Sequence, residues 1–323
     1  MTSRKTGIGI GISTYNDFAN TNALINSIKQ YTPEKDYTIV VVDDGTRDER
    51  VVSALKKVCE NHNVLFSRNP ANRGIPYTWN RLTELCAIEP EDIAILFNND
   101  ILVTNGNWLR YIEYFLTRND KIGTAGFPLI YPQDEKRTET ERSWGEKPGH
   151  VGASVGCCFG FRKKVWQQVE NPDGSTGFWE DLVSFHEETM FGFKLSELGY
   201  YNYQLPFPPM VHYGGQTFSK NRELTERPVD WTKWNKQEYI ETIKKSKVYP
   251  EEWKKDKIAG TNEKGEDVVD RMAFSRYMFA KHWNVLPAYD APQVPVHERV
   301  VTPMPKRKVK WLDQELKEQE AEV

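Results

Sequence analysis

The sequence has few cysteines and no pair of them in a redox or metal-binding motif. Its 323 residues include only Cys59, Cys86, Cys157 and Cys158, and no two of these form a C-x-x-C pair. A long chain without an export signal typically keeps its thiols reduced. We therefore expect four thiols packed in the interior, not a disulfide framework.

The sequence also lacks a long apolar run and a strong charge of either sign. No stretch approaches the roughly 18 apolar residues of a membrane-spanning helix, and the N-terminal MTSRKTGIGIGISTYN has no signal-peptide core. The net charge of −3 gives no electrostatic reason to bind nucleic acid or an anionic membrane. We expect a cytoplasmic protein with no integral membrane segment, and the composition predicts no oligomeric state.

Strand and helix patterns alternate through the first hundred residues. GIGIGIS, YTIVVVDDGT, VLFSRN and EDIAILFNND are typical of strands, and apolar residues at helical spacing separate them. This order predicts an α/β fold, in which a mostly parallel sheet carries helices on both faces. The polar clusters STYN, DDGT, RNPANRG and NND all fall at carboxyl ends of strands, where such sheets bind ligands. We therefore expect these clusters to form one site.

The middle of the chain, residues 104–220, is less regular. KIGTAGFPLIYP predicts a strand, and SVGCCFGFRKKVWQQV a strand followed by a helix. HEETMFGFKLSELGYY predicts a helix that ends at Gly199, the usual capping residue. The polar segment 132–150, which contains Trp144, predicts a mobile loop.

The composition changes after about residue 220 and becomes rich in charge and proline. Helices are expected at 235–257 and 267–283, followed by an extended proline-containing arm and a charged helix or tail. We therefore divide the chain into a domain over residues 1–220 and a mainly helical extension over residues 221–323.

Taken in order, the motifs resemble those of the inverting GT-A glycosyltransferases of the family 2 type. TYN, DDGT, RNPANRG and NND each follow a strand, and an acidic pair and a late histidine in VHYGG come after them. The match covers about residues 7–215, and GFWEDLVSFHEETMFGFKLSELGYY is its most specific part. The resemblance implies a GT-A (Rossmann-like) domain and a nucleoside-diphosphate sugar as donor, with UDP favoured. It further implies Mn²⁺ or Mg²⁺, and inverting transfer of a hexosyl or pentosyl group to an acceptor hydroxyl.

Asn98, Asn99 and Asp100 stand where the family has a D-x-D motif. A departing diphosphate must be neutralised, and a divalent cation held by carboxylate oxygens can do this. The resemblance makes Asp100 and His212 the metal ligands, and it places Asn98 or Asn99 against the ribose or sugar of the donor. From the residues alone, an Asx turn and a histidine satisfied by backbone are the alternatives.

The resemblance also implies a pocket for the nucleotide. One of the two aspartates after the second strand would accept from the base, and the tyrosine of TYN would stack on it. Turn chemistry at Asp-Gly and a surface loop arginine are the alternatives. The expected donor-binding residues are Thr14, Tyr15, Asn16, Asp43, Asp44, Arg68, Asn72, Gly74, Asn98 and Asn99, with Asn80 a weaker candidate.

An inverting transfer needs one base to deprotonate the acceptor hydroxyl, and a positioned carboxylate can act as that base. By resemblance this is the second acid of the pair, Glu188, with Glu187 the lesser candidate. Carboxylates at a helix start also simply complement the helix dipole. Trp179, Glu180 and Asp181 would shape the acceptor side.

Three functions stay open at this stage. A glycan is the favoured acceptor. Transfer to a hydroxymethylated base in DNA is the second possibility, which the small size and the lack of a predicted membrane segment leave open; the basic run PKRKVKW at 305–311 would favour it, although the acidic DQELKEQEAEV follows that run. The third is a non-catalytic protein that binds a nucleotide sugar or a glycan, because Asn98 replaces the first acid of the metal motif.

Overall fold

The computed structural model describes most of the chain up to residue 283. The described residues are 6–32, 37–130, 149–151, 157–182, 186–205, 210–213, 226–245, 259–262 and 264–283. Most of the loop predicted at 132–150, including Trp144, lies outside them, as do residues 246–257 and the tail from 284 onward.

The strands and helices follow each other in the alternating order that the sequence predicts. The strands are β1 (Ile8–Thr14), β2 (Thr38–Asp43), β3 (Leu65–Arg68), β4 (Ile93–Asn98), β5 (Ile101–Leu102), β6 (Ile122–Gly126), β7 (Leu129–Ile130), β8 (Gly149–Val151), β9 (Cys158–Arg162), β10 (Tyr201–Gln204), β11 (Met210–His212), β12 (Glu226–Pro228), β13 (Ala259–Thr261) and β14 (Asp267–Asp270). The helices are α1 (Phe18–Tyr31), α2 (Glu49–Asn61), α3 (Ile75–Cys86), α4 (Trp108–Arg118), α5 (Lys163–Trp166), α6 (Glu187–Glu197), α7 (Lys236–Lys245) and α8 (Arg271–Trp283), with a 3-10 helix at Glu180–Leu182.

The central sheet has eight strands in the order β3-β2-β1-β4-β9-β6-β10-β8. β1 pairs in parallel with β2 and β4, β2 with β3, and β6 with β10. β9 runs antiparallel between β4 and β6, and β8 runs antiparallel to β10. This confirms the predicted α/β class and the mostly parallel sheet.

The alternation of glycine and isoleucine in β1 explains how both faces of the sheet are covered. Ile8, Ile10 and Ile12 point into a core that is shared with α1 and α4. Gly9 faces α3 so closely that a Cβ atom there would lie 2.2 Å from the carbonyl oxygen of Cys86. The absence of a side chain therefore lets α3 pack directly on the strand.

An aromatic cluster fixes α6 to the other face of the sheet. Trp79 of α3 packs edge-on against Phe159 and Phe178. Phe178 in turn packs against Phe191 of α6, with 4.5 Å between ring centroids. All four rings are buried, so the start of α6 is held against the sheet by packing that is costly to disturb. Gly199, with a φ of 81°, follows the end of α6, as the sequence predicts.

The C-terminal region contains a small sheet that the sequence analysis did not predict. β12, β14 and β13 form an antiparallel sheet, so the helix expected over 267–283 begins only at Arg271. The β-branched pair Val268-Val269 favours a strand, and Gly265, with a φ of 77°, provides the turn before it. The helix expected at 235–257 is described only as α7.

The C-terminal region shares a core with the first domain. Tyr239 of α7 and Phe274 of α8 pack in one buried cluster with Trp179, Met190 and Phe193, the last two from α6. The division at residue 220 stays a prediction, but the two regions meet across an apolar core.

No helix among the described residues is long and apolar enough to span a membrane. The four cysteines are free thiols, of which Cys157 alone is only partly buried. Burial raises the pKa of Cys59 to about 12.

Candidate active site

Asp43, at the end of β2, is held by the turn that follows it. Its carboxylate accepts hydrogen bonds from the Thr46 backbone N–H at 3.2 and 3.3 Å and from the Thr46 hydroxyl. The Nε atom of Arg68 lies 3.3 Å away. Burial raises the pKa of Asp43, and the contacts from Thr46 and Arg68 oppose that rise.

Asp44 fastens the next loop to the sheet. Its two oxygens accept from Nδ2 of Asn69 at 2.8 Å and from the backbone N–H groups of Arg73 and Gly74 at 2.9 Å each. Burial raises the pKa of Asp44, and these donors oppose that rise. The described donors therefore use both Asp44 oxygens to set the position of loop 69–74.

The turn after β2 and loop 69–74 enclose a cleft of about 350 Å³. Gly45 adopts a φ of 79°, and a Cβ atom there would lie 2.3 Å from the backbone carbon of Ala71, so the turn and the loop touch at this glycine. The lining residues are Tyr15, Gly45, Arg47, Pro70, Ala71, Asn72 and Arg271.

Two of the predicted donor-binding residues, Tyr15 and Asn72, line this cleft together. Arg68 is not among the lining residues. Its guanidinium group contacts Asp43, the Thr46 carbonyl oxygen and, at 2.9 Å, the carboxylate of Glu49. Arg68 therefore stabilises the turn that carries the cleft.

Three other predicted residues, Thr14, Asn16 and Asn99, contact neighbouring threonines near the strand ends. The Thr14 hydroxyl lies 2.8 Å from the hydroxyl of Thr21 in α1, and Nδ2 of Asn99 lies 3.4 Å from the same hydroxyl. Asn16 is exposed with a φ of 53°, and its backbone N–H donates to the Thr46 hydroxyl at 2.7 Å. Sequence cannot tell these orientations from ones that face the cleft, because all of these residues sit at strand ends.

The structure brings Asp100 and His212 together. Both are buried, and Nε2 of His212 lies 3.3 Å from Oδ1 of Asp100. The contact follows from the pairing of β11 with β5, in which His212 is the partner of Ile101. The Tyr213 backbone N–H also donates to the Asp100 carbonyl oxygen at 3.0 Å.

The geometry of this pair fits a cation. Two adjacent ligands, each about 2.1 Å from an octahedral ion, lie about 3 Å apart. Oδ1 of Asn98, two residues before Asp100, is buried and accepts no hydrogen bond from the residues that the structure describes, so it is a further candidate oxygen ligand. Over the same residues no cluster of three or more His, Cys, Asp or Glu side chains is present, and phosphate oxygens and water would have to complete the coordination.

Glu187 and Glu188 are the first two residues of α6, and Glu187 is buried while Glu188 is partly buried. Burial raises the pKa of Glu188 to about 7. Burial, and then the charge of Glu188, raises the pKa of Glu187 well above its usual value. Burial thus disfavours the ionised form of both carboxyl groups, and the charge of Glu188 disfavours ionisation of Glu187 further.

Cys157 lies beside Asn98 and is affected by the charges of Asp100 and of the two glutamates. Its carbonyl oxygen accepts from the Asn98 backbone N–H at 2.9 Å. Burial raises the pKa of its thiol, and the negative charges of Asp100, Glu188 and Glu187 raise it further. The charges of all three carboxylates thus act on one thiol, although Asp100 is almost ninety residues away from the two glutamates in sequence. From the sequence, Cys157 was predicted only to be one of four interior thiols.

Asn80 holds the segment from Phe178 to Glu180, which leads into the 3-10 helix. Its Oδ1 accepts from the Trp166 indole N–H at 3.0 Å and from the Phe178 N–H at 2.8 Å. Its Nδ2 donates to the Phe178 carbonyl at 2.8 Å and to Glu180 at 3.3 Å. Arg73 also approaches Glu180, at 3.8 Å. Asn80 is therefore a positioning residue, and Trp179 is buried in the core shared with the C-terminal region.

Comparison with known proteins agrees with this architecture. Residues 10–170 match the model of the family described as glycosyl transferase family 2. No curated protein matches the chain. The structure of S. aureus TarS 1-349 in complex with UDP-GlcNAc is 15% identical, with a TM-score of 0.54 over 91% of this chain and 78% of that one.

Two further solved structures share the fold. Mannosyltransferase PcManGT from Pyrobaculum calidifontis, in complex with GDP-Man and Mn²⁺, is 16% identical, with a TM-score of 0.51 over 87% of this chain and 72% of that one. GalNAc-T7 with UDP, GalNAc and Mn²⁺ is 14% identical, with a TM-score of 0.52 over 65% of this chain and 44% of that one. The chain thus spans less than half of the GalNAc-T7 chain.

The sheet, the site at its carboxyl edge and the family match define the class of this protein. The chain is a glycosyltransferase of the family 2 type with the GT-A fold.

Proposed function

We propose that this protein is a metal-dependent, inverting glycosyltransferase. It moves a hexosyl or pentosyl group from a nucleoside-diphosphate sugar, with UDP favoured, to an acceptor hydroxyl, with a glycan favoured as acceptor. The observation that carries this proposal is the 3.3 Å distance between Oδ1 of Asp100 and Nε2 of His212, two side chains that could hold a cation. The charges of Asp100, Glu187 and Glu188 all raise the pKa of the Cys157 thiol, which supports a site that contains both the cation ligand and the base.

The proposed cation ligands are Asp100 and His212, whose side-chain atoms already lie 3.3 Å apart. Mn²⁺ or Mg²⁺ bound there would act as a Lewis acid that offsets the charge of the departing diphosphate. Solved structures with this fold contain Mn²⁺ beside GDP-Man or UDP. The buried Oδ1 of Asn98 would accept from a hydroxyl of the donor or add an oxygen to the cation.

Glu188 is the proposed base. With a pKa of about 7, it is partly ionised at neutral pH yet basic enough to take a proton from an acceptor hydroxyl. Attack from the face opposite the leaving group needs no covalent intermediate, and so no nucleophilic carboxylate. The raised pKa of Glu187 would disfavour a second negative charge beside Glu188.

The cleft beside Tyr15 is the proposed nucleotide site. The Tyr15 ring would stack on the base, and Asn72 would donate to it or to the ribose. Asp43, Asp44, Arg68 and Gly74 shape the cleft through the contacts described above.

A turnover assay tests this proposal. The purified chain is incubated with a panel of UDP-sugars and GDP-sugars, with Mn²⁺, Mg²⁺ or EDTA, and release of the nucleoside diphosphate is measured. Proton NMR of the sugar product then gives its anomeric configuration. We expect release that EDTA abolishes and a product of inverted configuration, whereas a retained configuration would refute the mechanism.

The same assay separates the two other candidate functions. Nucleotide-sugar binding without turnover under any condition would favour the non-catalytic protein. Sugar incorporation into hydroxymethylated duplex DNA, together with a gel shift that weakens steeply with salt, would favour the DNA acceptor. The basic run at 305–311 lies outside the described residues.

A further inference from the structure

One lining residue of the nucleotide cleft comes from outside the part of the chain that matches the family. Arg271 is the first residue of α8, about a hundred residues beyond the end of the family match at residue 170. It is partly buried and lines the same 350 Å³ cleft as Tyr15 and Asn72. The C-terminal region therefore closes part of this cleft.

The side chains that line the cleft give it a positive character. None of its seven described lining residues is acidic, and two of them, Arg47 and Arg271, carry guanidinium groups. The nearby carboxylates of Asp43 and Asp44 accept hydrogen bonds from their own turns and loops. A cleft with this charge suits an anion, and guanidinium groups match phosphate oxygens in geometry as well as in charge.

α8 is also anchored to the acceptor side of the site. The hydroxyl of Ser275, one turn after Arg271, donates to the Leu182 carbonyl oxygen of the 3-10 helix at 3.0 Å. Phe274 and Tyr277 pack in the core that contains Trp179 and, from α6, Phe193. The position of Arg271 is therefore fixed by packing of α8 against α6 and by its hydrogen bond to the 3-10 helix.

We propose that Arg271 is a donor-binding residue, supplied by the C-terminal region, whose guanidinium group binds a phosphate of the nucleoside diphosphate. Arg47 contributes a second cation to the same cleft. The inference rests on the proposed function and extends it: the donor site of this chain is complete only when α8 is docked.

Binding measurements test the inference without an acceptor. Isothermal titration calorimetry with UDP, UMP and uridine, in the presence of Mn²⁺, is applied to wild type, R271Q and R271K. K264Q is the matched control, because Lys264 is exposed on the turn before β14 and its loss removes the same charge. Circular dichroism and thermal melts establish that each variant is folded.

We expect R271Q to weaken UDP binding about tenfold to hundredfold, the range for loss of a charge-assisted hydrogen bond. Uridine binding should change by less than about twofold, and K264Q should bind like wild type. R271K keeps the charge but loses the planar guanidinium group, so its UDP affinity should lie between those of wild type and R271Q. If R271Q does not fold, a lower UDP affinity of R271K with unchanged uridine affinity still supports the inference.

Two outcomes would overturn it, and they differ from failure of the proposed function. If R271Q, or R271K where R271Q is unfolded, binds UDP as wild type does, Arg271 does not bind phosphate. If the variant loses uridine and UDP affinity equally, Arg271 only shapes the cleft. If folded wild type binds no nucleoside diphosphate, with UDP and GDP both tested, the proposed function falls and this inference falls with it.

Discussion

Replacement of Glu188 by Gln is the most informative single change, because it alters activity and stability in opposite directions. The amide keeps the size of the side chain but cannot accept a proton from an acceptor hydroxyl. General-base catalysis by a positioned carboxylate contributes typically 10²- to 10⁴-fold. We therefore expect kcat to fall by at least about 100-fold, with little change in the affinity for UDP.

The stability effect follows from the raised pKa of Glu188. Below pH 4.5 the carboxyl group is protonated in both the folded and the unfolded state, and its burial has no pH-dependent cost. Between pH 4.5 and about 7 the unfolded state ionises first, so the folded state loses stability as the pH rises, and above pH 7 the loss is constant. The shift of 7 − 4.5 = 2.5 pH units corresponds to an upper bound of about 3 kcal/mol, and partial exposure of Glu188 reduces it.

Glu188→Gln should therefore raise the free energy of unfolding by about 1–3 kcal/mol at pH 8 relative to its effect at pH 4.5. Urea unfolding at the two pH values measures this, and initial rates between pH 5.5 and 9 measure activity. Wild-type kcat/KM should rise with pH to a plateau above about 7, and the variant should lose that dependence. Equal activity of wild type and variant at pH 8 would refute the assignment of the base.

Four further changes test separate parts of the account. Glu187→Gln should reduce kcat less than tenfold, because burial and the charge of Glu188 raise the pKa of Glu187 well above its usual value and so disfavour the ionised form that a base needs; a loss as large as that of Glu188→Gln would make Glu187 the base. His212→Ala should raise the Mn²⁺ concentration for half-maximal activity about tenfold or more while leaving UDP binding in EDTA unchanged, and an unchanged Mn²⁺ response would exclude His212 as a ligand. Asp44→Ala should lower the free energy of unfolding by about 3 kcal/mol, because it leaves buried donors of loop 69–74 unsatisfied, and urea unfolding that shows no loss would contradict this. Gly9→Ala should destabilise the chain by about 3 kcal/mol, because α3 must move away from β1; Gly260→Ala, where nothing lies within 4 Å, is its control and should melt like wild type.

The sequence predicted the central sheet well because its signals are local and repeated. Apolar runs that end in polar clusters identify β1, β2 and β4, and the same clusters identify the edge at which the site lies. The direction in which each polar side chain at these strand ends points was harder to predict. Asp44 and Arg68 were expected to face a ligand, yet both contact neighbouring turns, because a strand-end residue can point either to the cleft or back to the loop.

The C-terminal contribution to the site could not be predicted from local pattern. Arg271 reaches the cleft only because α7, β14 and α8 dock through an apolar core shared with Trp179 and α6. β12 and β13 are only three residues long and carry no clear alternation. The influence of both Asp100 and Glu188 on the Cys157 thiol, likewise, becomes evident only when the antiparallel strand β9 is placed beside β4.

A crystal structure of the chain with UDP and Mn²⁺ tests the central claim most directly. The account predicts Mn²⁺ bound to both the Asp100 carboxylate and the His212 imidazole, with the diphosphate as a further ligand. It also predicts the nucleotide in the cleft beside Tyr15, with Glu188 facing the vacant sugar position. Manganese bound away from Asp100, or UDP on a surface that Glu188 does not face, would contradict it.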